Sequence, residues 1–327
     1  MMDTEQLALL AGTLGQLAEA CDGAELTKAL DDFGFAEVLQ VAPRVAVPAL
    51  FEAMGRADSV SAALQDVLAL PLAGTAASGE AQAVLLPPIG GELAGSLEAG
   101  TVMVRGLVLG HRPAAILTFF VAPVSSGGQT VWVRFPDTAA LTVRPVAGLD
   151  PQLGLAEVTG SVPAAAVLTG EPAGQAWRGV AAAGRRALGY QMLGAASAMI
   201  ELAIEHARTR VQFGHPVGSF QAVRHRLAEA FVAREGAAAA LELSWDADDE
   251  ELAAMLAKSL AGRAVRITAT HCQQVLAGLG FTSEHPFHRY LGRALVLDRL
   301  LGSAAELPAE IGARLASAGH VPRLAEL

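Results

Sequence analysis

Between positions 210 and 225 the chain gathers residues suited to an anionic, planar ligand: Arg210-Val-Gln-Phe-Gly-His-Pro-Val-Gly-Ser-Phe-Gln-Ala-Val-Arg-His225. The guanidinium of Arg210 can pair with a phosphate through two parallel charge-assisted hydrogen bonds. The amides of Gln212 and Gln221 can read the edge of a heterocycle, and Phe213 and Phe220 can supply a face. The same residues also suit a helix-turn-helix corner whose Arg and Gln are merely solvated, and spacing does not separate the two. Carboxylates placed to take a proton are scarcer. Asp298, Glu201 and Glu205 fall on helical patterns, where an exposed structural acid is the ordinary case. Glu284, His285 and His288 have the residue types of a metal site, but Pro286 breaks the local helix and no metal is assigned there.

Three segments position these groups, which makes the chain an α+β, multi-domain protein. Residues 1–75 form a shortened helical N-terminal domain with apolar clusters at Leu7, Leu9, Leu10, Leu14 and Leu17 and again from Val47 to Leu68. Gly74 to Gly79 reads as a linker. Over 80–170 the periodicity becomes two: Val102 and Val104 alternate with Met103 and Arg105, and Val131, Val133 and Phe135 with Trp132 and Arg134. This is a small, barrel-like β domain. Over 171–327 long helical patterns return. The first carries Leu188, Met192, Ala196, Met199, Ile200, Ala203, Ala207 and Val211 on one stripe and ends near Phe213-Gly214. Others run from Ser219 to Leu243, from the acid cluster 246–251 to Leu276 and from Phe287 to Leu301, with a last helix near 309–317. Long helices joined by short loops imply a four-helix bundle.

The totals narrow the partners. A net charge of −10 argues against nucleic acid or an anionic membrane as the main partner. With 52% hydrophobic and only 17% charged residues, much of the excess Ala, the chain suits close helix packing and a subunit interface. Cys21 and Cys272 form no disulfide framework, and Asp3 and Glu5 fall where a signal peptide is basic, so the expectation is a cytoplasmic protein. The uncharged run between Arg112 and Arg134 contains Pro113, Pro123 and Ser125-Ser-Gly-Gly128 and reads as two strands with a loop, without membrane insertion.

Arg210, Phe213, Gly214, Pro216, Phe220, Gln221, His225, Leu227 and Ala228, followed by Gln274-Val-Leu-Ala-Gly-Leu-Gly-Phe-Thr-Ser-Glu-His-Pro286, resemble the signature of the acyl-CoA dehydrogenase family. These flavoenzymes oxidise the α–β bond of acyl-CoA thioesters. The resemblance implies FAD as cofactor. It implies that Arg210 pairs with the flavin pyrophosphate, that Gln212, Phe213, Phe220 and Gln221 line the dinucleotide, and that Gln274 to Gly278 contact its adenosine end, reaching across a dimer interface. The family's Gly-Gly step is Ala277-Gly278 here.

Other family features are missing. Where members carry a Thr-Glu-Pro and a Gly-Ser-Asp loop against the flavin ring, the chain has Leu85-Leu-Pro-Pro-Ile-Gly-Gly91 and Gly95-Ser-Leu97, which read as an ordinary β turn. The two positions that hold the family's catalytic Glu are Leu301, before Gly302-Ser303, and Gly184, ten residues before Gly194. No catalytic residue is therefore assigned, and Asp298 is only a weak substitute. The resemblance points to the short, non-catalytic subunit of actinobacterial α2β2, steroid-type acyl-CoA dehydrogenases. A longer partner would bind most of the acyl-CoA, and a separate acceptor would take the electrons. A self-sufficient homo-oligomer with an unrecognised base, or a flavin-free interaction subunit, are the alternatives.

Overall fold

The computed structural model describes residues 3–78, 82–109, 119–136 and 139–322. Gly79 of the expected linker, the start of the expected β domain at 80–81 and the stretch 112–118 of the uncharged run lie outside the described residues. Two compact units emerge. The first comprises Met1–Val47, Val60–Gly184 and Arg299–Gly302, and the second Pro48–Ser59, Arg185–Asp298 and Ser303–Leu327.

The first unit begins with helices α1 (Thr4–Ala20), α2 (Gly23–Phe33) and α3 (Phe35–Val41) and the first turn of α4 (Pro43–Ala57). Asp3 and Gln6 form a reciprocal capping box on α1, and Gly34, at φ 78°, closes α2 in the left-handed conformation. Helix α5 (Ala63–Ala69) leads toward the sheet, and Gln65 joins the two: its Oε1 accepts from Val84 N at 2.8 Å.

Eight strands follow: β1 (Gln82–Val84), β2 (Gly95–Glu98), β3 (Thr101–Val108), β4 (Phe119–Ser126), β5 (Gln129–Pro136), β6 (Leu141–Pro145), β7 (Ala156–Pro163) and β8 (Ala166–Leu168). They form one sheet ordered β6-β7-β3-β2-β4-β5-β8, with β1 parallel to β4. Val102 and Val104 of β3, Phe120 and Val124 of β4, Val133 and Phe135 of β5 and Val158 of β7 share a single interior. The turn within the uncharged run is Gly127-Gly128, between β4 and β5. Alternation along β5 predicts Trp132 outward; it is instead fully buried. Its indole stacks edge-on against Trp177 at 6.4 Å, and its Nε1 donates to Ala173 O at 3.2 Å. Helical residues beyond the strand cover that face, which a period-two pattern cannot foresee.

Helix α6 (Gly170–Thr209) is 40 residues long. The sequence suggests one apolar stripe, but from Val180 to Ile200 only Ala183 is even half-exposed. It is long and apolar enough to cross a membrane by length and composition. However, 83% of its most apolar window is buried inside the protein, as expected of a bundle's core helix.

The second unit takes the rest of α6 and adds α7 (Gln221–Leu243), α8 (Glu250–Leu276), α9 (Phe287–Arg299) and α10 (Leu307–Ala318), with the later part of α4. Asp249 caps α8, its carboxylate accepting from Leu252 N at 3.1 Å. Helix α6 stops at Thr209, short of the expected Phe213. A hairpin of β9 (Val211–Gln212) and β10 (His215–Pro216) intervenes, and Val211 is exposed there rather than part of the stripe.

Candidate functional site

The hairpin after α6 is tight. Gln212 pairs with His215, and the two residues between them, Phe213 at φ 53° and Gly214 at φ 81°, both sit in the left-handed region. Such a two-residue turn matches the twist of the strands, but it favours Asn or Gly at the first position. A Phe there is strained, and its side chain is 90% exposed, resting edge-on against Phe220 with ring centres 6.2 Å apart. Val217 N–H donates to Arg210 O at 2.8 Å, which brings Arg210 to the same end of the hairpin as the start of α7. That helix begins at Gln221 with no side-chain cap and no acid in its first turn. Val223 N and Arg224 N already donate to Phe220 O, so the N–H groups of Gln221 and Ala222, with the exposed Arg210, are those an anion could use.

The residues singled out by the sequence fall into two groups. Arg210, Gln212, Phe213, Phe220 and Gln221 gather on one exposed hairpin-and-helix start, and Gln274 and Gly278 are exposed at the end of α8 and in the turn that follows. Ala277 has φ 53° and ψ −133°, a conformation suited to the glycine of the family step it replaces. Behind the hairpin a cleft of about 410 Å³ has Ile204, Ala207, Pro216 and Leu227 in its lining and two cations, Arg208 and Arg224.

The expected base positions carry no acid. Gly184 is buried, and the Leu301 side chain fills the space in front of it. Asp298, the weak substitute, is 2% exposed and fully engaged: Oδ2 pairs with Arg266 Nη2 at 3.1 Å and Oδ1 accepts from Ala304 N at 3.0 Å. This is a structural carboxylate that closes the end of α9. Glu201 pairs with Arg56 at 2.8 Å on the surface. Among the described residues no cluster of His, Cys, Asp and Glu suits a metal, and both cysteines are free thiols. In the run 85–91, Leu85 and Leu86 still pair with Val121 and Leu107, and the turn follows, with Gly91 N donating to Pro88 O.

Sequence reasoning missed three features. Glu92, just past the run scanned for an acid, lines a cavity of about 500 Å³ with Ser125, Thr130 and Trp177. Lys258 is wholly buried, and burial, against the pull of Asp298, brings its pKa down to about 7. His206, four residues before Arg210, is held below its ordinary range by burial and then by the charges of Arg210 and His285, and its only sequence signal is that four-residue spacing.

Residues 176–316 match the family model for the acyl-CoA dehydrogenase C-terminal domain. The chain is 33% identical over 187 residues to the acyl-CoA dehydrogenase IpdE2 of Mycobacterium tuberculosis, covering 57% of this chain and 54% of that one. It is 34% identical over 217 residues to FadE34 of the same organism, covering 64% of this chain and 28% of that one. The chain thus spans about half the length of the first of these relatives and less of the second. Among solved structures it superposes on the ChsE4-ChsE5 complex from Mycobacterium tuberculosis with a TM-score of 0.79, over 98% of this chain and 99% of that one, at 20% identity. A variant of the Tcur3481-Tcur3483 steroid ACAD gives 0.78, over 96% and 99%, also at 20% identity. At that identity the superpositions speak to fold alone, and the fold agrees with the matched segment: residues 176–316 carry the acyl-CoA dehydrogenase C-terminal domain.

Proposed function

We propose that this chain is one subunit of a heteromeric, FAD-dependent acyl-CoA dehydrogenase, that it lacks a base of its own, and that it completes the flavin site of a longer partner. One observation carries the reading. The residues chemically suited to a dinucleotide, Arg210, Gln212, Phe213, Phe220 and Gln221, all face outward, while both base positions are filled by apolar packing. The donor set fits the cofactor: a guanidinium and an uncapped helix start suit a pyrophosphate, two exposed amides suit a heterocycle edge, and an edge-on Phe pair suits a ring face. An exposed Phe held at positive φ is strain without return in a lone chain, and it gains a purpose against a bound partner.

In such an assembly FAD, held in part by Arg210, Phe220 and Gln221, would supply the acceptor for a hydride leaving the β carbon of the thioester. A carboxylate must remove the α proton, and neither Leu301 nor Gly184 can take one. The partner supplies that acid and holds most of the acyl-CoA, and a separate acceptor reoxidises the flavin. Both solved structures named above pair two chains, and one is called a steroid ACAD; a steroid-derived acyl group is the substrate class proposed here.

The test is flavin content. Co-expressed with any longer acyl-CoA dehydrogenase encoded beside it, the chain is expected to yield a yellow heteromer, and expressed alone it is expected to be colourless. In the complex, Arg210→Ala is expected to lose FAD with the subunits still associated. Stoichiometric FAD and thioester oxidation by the lone chain would overturn the proposal. Preference of the complex for straight-chain over steroid thioesters would remove the substrate class only.

A further inference from the structure

The cleft behind the hairpin is built from one face of α6 and the first two turns of α7. Ile204, Ala207 and Arg208 lie three and four residues apart on α6, and Pro216, Arg224 and Leu227 close the other side around a volume of about 410 Å³. Its shape is fixed by backbone. Gly218 packs so closely on α6 that a Cβ there would lie 2.8 Å from Ala207 O, and Arg224 Nε donates to Gly218 O at 2.8 Å. Ser219 spends its hydroxyl hydrogen on Pro216 O at 2.7 Å, so the charged donors of the cleft are Arg208 and Arg224.

Both guanidiniums stand out in an acidic chain, which has 33 Asp and Glu against 23 Lys and Arg. Arg56, Arg178, Arg234 and Arg266 all pair with carboxylates, whereas among the described residues no carboxylate pairs with Arg208 or Arg224. Arg224 also stands in the first turn of α7, where the helix dipole disfavours a cation, and no acid in that turn offsets it. With Nε anchored on a carbonyl the guanidinium is pre-oriented, and Nη1 and Nη2 remain for a ligand. A bound anion compensates both charges. The apolar side chains that share the lining suit an anion that carries a hydrocarbon body.

We propose that this cleft binds an amphipathic monocarboxylate, with its carboxylate on Arg224 and Arg208 and its hydrocarbon over Ile204, Ala207 and Leu227. None of Arg208, Gly218, Ser219 and Arg224 belongs to the signature through which a flavin role is assigned to the hairpin, so the site is independent of that reading. The carboxylate supplies orientation and the hydrocarbon supplies the burial that a small anion lacks. Because both arginines are exposed, added salt weakens the interaction.

The probe is octanoate, titrated calorimetrically into the full-length chain near neutral pH at low ionic strength, with 1-octanol and acetate as partial ligands. One octanoate per chain is expected, held at least about tenfold more tightly than 1-octanol, the scale of one charge-assisted hydrogen bond. Acetate should not bind at the same concentrations. Arg224→Gln and Arg208→Gln, both at exposed positions and checked for folding by circular dichroism, should each weaken octanoate by about tenfold. Arg263→Gln, which removes an exposed arginine of α8, should leave it unchanged. Equal affinity for octanoate and 1-octanol, or octanoate binding indifferent to Arg224→Gln, overturns the proposal. So does acetate binding as tight as octanoate, a loss in Arg263→Gln as large as in Arg224→Gln, or no heat with millimolar octanoate. The experiment needs neither flavin nor a partner subunit, so its failure leaves the proposed function standing.

Discussion

Leu301 occupies the space that any side chain at Gly184 would need. A Cβ built on Gly184 would lie 2.5 Å from Leu301 Cδ1 and 2.9 Å from Leu68 Cδ2. The two positions at which the family resemblance places a catalytic Glu are therefore one site, and this chain fills it with hydrocarbon. Leu301 itself sits at φ 57°, a conformation a branched side chain adopts only when its surroundings hold it.

A double-mutant cycle tests that relationship. Gly184→Ala alone gains helix propensity but crowds the Leu301 and Leu68 side chains, and a net loss of about 1–2 kcal/mol is expected. Combined with Leu301→Ala it should be better tolerated, giving a coupling of about 1 kcal/mol in urea denaturation. Strict additivity would mean that the two residues do not share the space.

Gly55 and Gly194 make a close helix crossing in the second unit. A Cβ on Gly55 would meet Gln191 O at 2.0 Å, and one on Gly194 would meet Glu52 O at 2.0 Å, so α4 and α6 touch backbone to backbone. Either Gly→Ala change should cost about 3 kcal/mol or more, because backbone cannot swing aside as a side chain can. Gly236, exposed on α7 with nothing within 4 Å, is the control. There Gly→Ala should stabilise by up to about 1 kcal/mol in thermal unfolding.

Phe213→Asn separates stability from function. Asn tolerates the left-handed turn, so the isolated chain should gain about 1 kcal/mol. The same change removes a 90% exposed ring, and the complex is expected to lose flavin faster. A variant that is both more stable and equally retentive would show that the ring does not touch the cofactor.

Lys258 gives a pH signature. Its ammonium donates to Asp298 O at 3.0 Å, yet burial brings its pKa down to about 7 from the ordinary 10.5. Between those values the unfolded chain keeps a proton that the folded chain has released, so stability rises with pH across the window. Below it both states are charged and the cost of burial is met in full. Denaturation midpoints from about pH 7 to about pH 10 should climb in the native protein, and Lys258→Met should remove that component of the slope.

The helices of the bundle were legible because their information is local. The acid cluster before Leu252 includes the cap Asp249, and the stretch 287–301 gave α9 to within two residues. The hairpin chemistry around Arg210 was legible too, since turn, cation and rings are adjacent in sequence. What escaped depends on distant partners: the covering of Trp132 and the engagement of Asp298 with Arg266 and Ala304. Leu301 and Gly184 could each be named as empty from sequence, but only the fold shows that one fills the other's space.

The second unit is not contiguous in the chain, and this bears on how it forms. Besides the glycine crossing, Glu52 pairs with Arg234, Arg56 with Glu201, and Asp58 with both Arg289 and Arg293. The residues that complete the bundle are made before the β strands, and most of its helices after them. Closing that loop imposes an entropy cost that must be met before the long-range contacts return anything. The segment from α6 onward, cut away from Pro48–Ser59, would leave a groove along Gln191 and Gly194 and lose the pairing of Arg293 with Asp58. Bundle assembly in this chain therefore waits on its own N-terminal third, and nucleation is expected where α4 meets α6.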